Sequence, residues 1–286
     1  YEYYAGTHFN RNQTWWPMVG PFLDYLARCQ SMLQQGRFVA DVLYYHGDWA
    51  PNIVEPKHVP ADLGFGYDYD VCNAEVLLTR VSVKDGMIVL PDGMNYRLLV
   101  LPGTPRIPVE IAEKIRELVR DGATIVGPKP QQDPGLRDFP RCDEAVRAIA
   151  AEVWGDCDGK KKTEHKFGRG RIVWGRTARE LLAAEKVGPD FQYDVHAGSL
   201  DFVHRSTAAA EIYFVVNRNN RAAHVACAFR VTDKQPELWN PVTGTTRPLP
   251  NFTTEANATT VSLDFAPHQS WFVIFRQPAL PANAAA

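Results

Sequence analysis

Residues 96–129 constrain the fold of this chain more tightly than any other stretch. Leu98-Leu99-Val100-Leu101 is a continuous apolar run closed by Pro102-Gly103-Thr104-Pro105, which reads as a buried strand. Pro108 opens a helix where a missing N–H costs nothing. Val109, Ala112, Ile115 and Val119 recur at spacings of three and four, and Ile111 and Leu118 widen the stripe. Gly122 stands where a left-handed cap is expected, and Ala123-Thr124-Ile125-Val126-Gly127 is a second apolar run. Strand, helix and strand in so short a span make a βαβ unit, and with it a parallel sheet.

The neighbouring segments extend that pattern. Phe22, Tyr25, Leu26, Cys29, Met32 and Leu33 follow helical spacing up to Gly36, and residues 38–45 read as a strand. Residues 50–66 form a Pro-rich loop at the carboxyl edge of that strand, where open α/β sheets usually face their ligands. Residues 67–78 read as a helix capped by one of its aspartates, and 81–90 as a hairpin turning at Asp85-Gly86. Helices near 143–154 and 177–184 flank a strand at 171–174, completing a doubly wound domain. From about Phe191 the grammar changes to short strands near 200–204, 210–217, 223–231, 236–239, 259–263 and 270–276, the spacing of an antiparallel β-sandwich or meander. The Ala- and Pro-rich tail reads as a linker.

At 286 residues, two or three domains are expected. A net charge of −2, with Lys160-Lys161-Lys162 as the one basic run, argues against nucleic-acid partners. No apolar run reaches transmembrane length. Five cysteines without CxxC spacing argue against a zinc site and read as buried or free thiols. Cys72 lacks the glycine flanks of a nucleophile elbow, so it reads as a packed thiol. Neither a GxGxxG nor a P-loop word supports nucleotide binding. The eight histidines show no metal-ligand spacing and read as strand or loop residues. The chain begins at Tyr1 without a signal-peptide pattern, which suggests processing or a longer polypeptide.

Residues 1–17 combine aromatic rings with Asn, His and Arg, the chemistry of a carbohydrate or polar-ligand surface. An irregular loop whose tryptophans pack on a neighbouring domain explains the same composition. Asp68, Asp70 and Glu75 lie within eight residues of one another. They read either as a cap with exposed helical acids or as carboxylates pointing at a ligand.

Five words in order carry a family resemblance: Gly6-Thr7-His8-Phe9-Asn10-Arg11-Asn12-Gln13-Thr14-Trp15-Trp16, Asp24–Gln30, Leu33–Tyr44, Tyr67–Glu75 and Leu90–Met94. With Lys166-Phe167-Gly168 and Pro236–Gly244, they resemble the bacterial α-L-rhamnosidases of glycoside hydrolase family 106 over most of the chain. The resemblance implies hydrolysis of terminal α-L-rhamnosides with inversion, by two carboxylates on a (β/α)₈ barrel. It also implies calcium in the full-length enzyme, none of it held by this chain, and a periplasmic or secreted location.

The expected order is the last loop and helix of the barrel at 1–35 and a flavodoxin-like (glutamine-amidotransferase-like) domain at 36–188. A β-sandwich at 189–277 and a tail at 278–286 follow. A barrel takes about 250 residues, so the catalytic acid and base are expected upstream of Tyr1, in the same polypeptide, with no catalytic residue and no metal ligand here. Carried over by position, His8, Asn10, Arg11, Trp15 and Trp16 are expected to contact the sugar, with Asp68 and Asp70 as further candidates. The expected partner is an oligosaccharide or glycoside, with neither nucleic acid nor membrane. A non-catalytic module for assembly or glycan binding is the alternative.

Overall fold

The computed structural model describes residues 9–49, 60–255 and 257–278. It is a mixed α/β structure with several antiparallel sheets, divided into two compact units. Residues 38–192 form one; residues 1–37 and 193–286 together form the other. The chain passes between them at two short strands, β1 (Arg37–Phe38) and, much later, β11 (Phe191–Tyr193).

In the continuous unit, β2 (Val42–Tyr45), β3 (Tyr69–Cys72) and helix α1's successor α2 (Ala74–Thr79) come first; α1 itself (Gly20–Leu33) belongs to the other unit. A small meander follows, made of β4 (Ser82–Lys84), β5 (Met87–Val89) and β6 (Asn95–Tyr96). Its first turn is the expected one: Asp85 and Gly86 take φ of 53° and 78°, the paired positive values of a tight hairpin. The expected βαβ unit is β7 (Leu98–Val100), α3 (Val109–Asp121) and β8 (Thr124–Val126). Gly122 closes α3 at φ 121°, where a side chain would be strained. The unit ends with α4 (Arg141–Trp154), β9 (Glu164–Phe167), β10 (Gly170–Val173) and α5 (Ala178–Ala184).

The main sheet runs β3-β2-β7-β8-β10-β9, parallel except for the β9 edge. Counted along the chain, its parallel strands lie in the order 2-1-3-4-5. Both faces are covered. Leu43, Leu99, Ile125 and Ile172 pack with α3 and α4, whereas Val42, Leu98, Val126 and Val173 pack with Leu181 and Leu182 of α5. This two-sided burial is why these strands are short uninterrupted apolar runs rather than alternations. Thr177 starts α5 with a reciprocal capping box to Glu180.

The helix expected at 67–78 is corrected by the structure. Residues 69–72 pair in register with Val42–Tyr45 as a parallel strand, and the helix begins only at Ala74. Its cap is Asn73, whose Oδ1 accepts the Val76 N–H at 3.0 Å, rather than an aspartate.

In the discontinuous unit, one sheet runs β12 (Leu200–Ser206), β13 (Glu211–Asn217), β19 (Ser270–Pro278), β15 (Lys234–Trp239) and β16 (Thr246–Pro248). The other joins β14 (Ala223–Phe229), β18 (Ala258–Phe265) and β17 (Phe252–Glu255). Phe229 of the second sheet meets Tyr213 and Phe275 of the first at centroid distances of 4.8 and 5.5 Å. Helix α1 covers the opposite face of the first sheet, with Cys29 buried among Ile212, Phe272 and Ile274. The Tyr25 hydroxyl lies 3.1 Å from Ser270 Oγ. The apolar stripe of α1 is therefore matched by an antiparallel sheet.

Candidate functional site

Ahead of α1, Trp16–Met18 form a single 3₁₀ turn with Pro17 in its first positions. That turn gathers four rings. Phe9 lies 5.3 Å from Trp15, 5.4 Å from Trp16 (edge-on) and 6.0 Å from Phe22, and the two tryptophans are 6.2 Å apart. Such tilted and edge-to-face contacts suit the ring quadrupoles. Phe9 and Phe22 remain 44% and 50% exposed, and Met18 and Leu23 are exposed beside them.

Asn10 Oδ1 accepts the Asn12 N–H at 2.9 Å, which shapes the turn, and Arg11 is exposed. Ring faces, a guanidinium and an amide on one turn can stack on sugar C–H groups and bond hydroxyls. His8 lies outside the described residues.

Asp68 and Asp70 belong to the α/β unit. Asp68 is buried at 2% exposure, with Oδ1 accepting the Tyr69 N–H at 3.2 Å. Asp70 accepts the Tyr96 hydroxyl at 2.7 Å, and burial followed by this bond raises the Tyr96 pKa. Both carboxylates thus take part in holding the start and middle of β3.

Cys72 is buried at the end of β3, and desolvation pushes its thiol pKa up to about 12, the opposite of an activated nucleophile. All five cysteines are free and buried. His204 is buried, stacked on Tyr213 at 3.8 Å, with Nε2 3.1 Å from Glu211 Oε2. Burial alone would raise the Glu211 pKa; hydrogen bonds from His204 and Ser206 and the Lys234 charge outweigh it and hold it low.

Among the described residues, no three of His, Cys, Asp and Glu converge to hold a metal ion.

Sequence reasoning missed a cavity of about 810 Å³ in the α/β unit, lined by Asp48, by residues 108–110 at the start of α3, and by residues from Asp133 to Ala145. It also missed His46, next after β2, whose buried Nε2 has no hydrogen-bond partner among the described residues.

This chain belongs to a glycoside hydrolase family: the family 106 model, described as alpha-L-rhamnosidase, matches residues 3–254. A rhamnosidase from Novosphingobium sp. PP1Y superposes with a TM-score of 0.86 at 32% identity, over 98% of this chain and 26% of that one. A protein of Formosa agariphila, provisionally named a beta-glucuronidase, is 36% identical over 96% of this chain and 22% of its own length. The chain thus spans about a quarter of the length of these relatives. The E323A catalytic mutant of Gan42B, a GH42 beta-galactosidase from G. stearothermophilus, matches at a TM-score of 0.53 and 12% identity, over 94% of this chain and 45% of that one, a likeness of fold alone.

Proposed function

We propose that this chain is the carboxyl-terminal part of a glycosidase that removes terminal α-L-rhamnosyl units from plant or microbial glycans with inversion. In this reading the acid and base lie on a barrel upstream of Tyr1 in the same polypeptide, and any calcium belongs there too. The 2-1-3-4-5 strand order supports a flavodoxin-like α/β domain. The facing antiparallel sheets support a β-sandwich, and α1 with its preceding turn is assigned to the end of the barrel. A periplasmic or secreted location belongs to the same proposal; among the described residues no helix is long and apolar enough to cross a membrane.

The observation that carries the reading is the partly exposed cluster of Phe9, Trp15 and Trp16 beside Asn10 and Arg11, within a chain of this family. His8, Asn10, Arg11, Trp15 and Trp16 are assigned to sugar contact. Asp68 and Asp70 are assigned a supporting role beneath the sheet edge, given the burial of the first and the Tyr96 bond of the second.

The test is hydrolysis of an aryl α-L-rhamnoside by the full-length polypeptide. Trp15→Ala is expected to lower kcat/KM at least about tenfold, the equivalent of ~1.4 kcal/mol of transition-state stabilisation. An unchanged kcat/KM would remove the turn from the site. Failure of the unaltered polypeptide to cleave any α-L-rhamnoside would favour the accessory-module reading.

A further inference from the structure

The 810 Å³ cavity lies at the carboxyl edge of the parallel sheet. Asp48 follows β2, Pro108–Glu110 follow β7, and Asp133–Asp138 follow β8. The chain runs from β2 outward to β3 and then back across β2 to β7, so the sheet reverses its direction of growth between β2 and β7. A crevice outside the strand ends at such a reversal is where open α/β sheets bind ligands. The volume is that of a small-molecule site.

Its wall is fixed by a chain of hydrogen bonds. The carboxylate of Asp143, buried in α4, accepts the Asp133 N–H at 2.9 Å; Asp133 Oδ2 accepts the Val109 N–H at 2.9 Å and its Oδ1 the Gly135 N–H at 2.7 Å. The Asp48 carboxylate is held by the Tyr45 hydroxyl.

The lining chemistry narrows the ligand. Asp48, Glu110, Asp133 and Asp138 face two guanidiniums, Arg137 and Arg141, so the wall is net negative and disfavours an anion. The carboxylates do not converge as a metal-holding group. Separated acceptors and forked donors beside Pro108, Val109 and Ala145 match alternating hydroxyls and C–H faces.

We propose that this cavity is a binding site for a neutral polyhydroxylated ligand, a sugar unit. It shares no residue with the aromatic turn and does not depend on the hydrolytic reading.

Hydrogen–deuterium exchange of the full-length polypeptide tests it, read at peptides spanning 108–113 and 133–145. The probes are the methyl glycosides of L-rhamnose, D-glucose and D-galactose at saturating concentration, with D-glucuronate for comparison. At least one neutral glycoside is expected to protect both peptides. In Glu110→Ala/Arg141→Ala the midpoint of protection is expected to rise at least about tenfold, as two charge-assisted bonds are lost. Ala145→Trp, which fills the cavity from a partly exposed helix position, is expected to abolish protection, and Trp15→Ala to leave it intact. The proposal is overturned if no neutral glycoside protects these peptides, if protection survives Ala145→Trp, or if Trp15→Ala removes it. Stronger protection by D-glucuronate overturns the neutral assignment. Loss of rhamnoside hydrolysis alone bears on the other site.

Discussion

The two units bury polar side chains in different ways. Among the described residues of the α/β unit the buried polar ones are Asp41, Asp68, Asp143 and Asp190, all beside strand starts or in the first turn of a helix. In the antiparallel unit they are His204, Asn217, Thr259 and Ser270, all within strands. Parallel strands buried on both faces leave no room for a polar group between helices, so charge collects where backbone N–H groups are unpaired. Antiparallel strands pair in register across the sheet, and a polar side chain can be met there by a cross-strand neighbour. His204 and Glu211 are such a pair on the adjacent strands β12 and β13.

The sharpest way to break this comparison is to damage one core and watch the other. Trp154 is fully buried on α4, and its Nε1 donates to the Gly127 carbonyl at 3.1 Å. Trp154→Ala is expected to cost about 3–5 kcal/mol. In urea unfolding followed by hydrogen exchange, peptides of 38–192 should lose protection at lower denaturant while those of 200–275 keep theirs. Equal shifts in both would mean that the units unfold as one.

A smaller effect probes the charged pair inside the antiparallel sheet. Because the Glu211 carboxyl is held below its ordinary pKa in the folded chain, its contribution is complete above the unfolded carboxyl's range. It is lost as pH falls through the depressed folded value. Glu211→Gln should therefore lower stability by roughly 1–2 kcal/mol at neutral pH, and chemical denaturation across a pH series should show that gap closing in acid. A gap that widened in acid would reverse the sign assigned here.

The smallest effect belongs to the α/β unit's reliance on helix ends. Thr177 Oγ1 accepts the Glu180 N–H at 3.2 Å while Glu180 accepts the Thr177 N–H at 2.9 Å. Thr177→Ala should cost about 1 kcal/mol, read as a small drop in Tm. No change in Tm would mean that the exposed box contributes nothing to this unit.

What could be read from sequence follows strand position. Interior strands such as β7 and β8 are apolar runs, and β13 and β19 carry long apolar stretches, so their place is visible in residue order alone. Edge strands escaped. β3 looked helical because Asp68 and Asp70 interrupt its apolar residues, and only its pairing with β2 makes it extended. Glu164-His165-Lys166-Phe167 of β9, the fully exposed β16 and the mostly exposed β17 bury too little to leave a hydrophobic signature. The aromatic turn was legible as composition because its rings are neighbours in sequence. The cavity was not, since its wall is drawn from positions 48 to 145 and exists only once the sheet has formed.

The discontinuous unit has a consequence for how the chain is made. Helix α1 is synthesised well before its partner, for the Ser270 hydroxyl that meets Tyr25 lies 245 residues downstream. At 5–20 residues per second that separation is roughly 12–50 s of synthesis. Until β19 is made Tyr25, Cys29 and Met32 lack the full sheet that covers them, while the inserted α/β unit, complete by residue 192, can already fold. The nascent chain thus holds a middle unit able to fold and a helix whose covering sheet is completed only when β19 is translated.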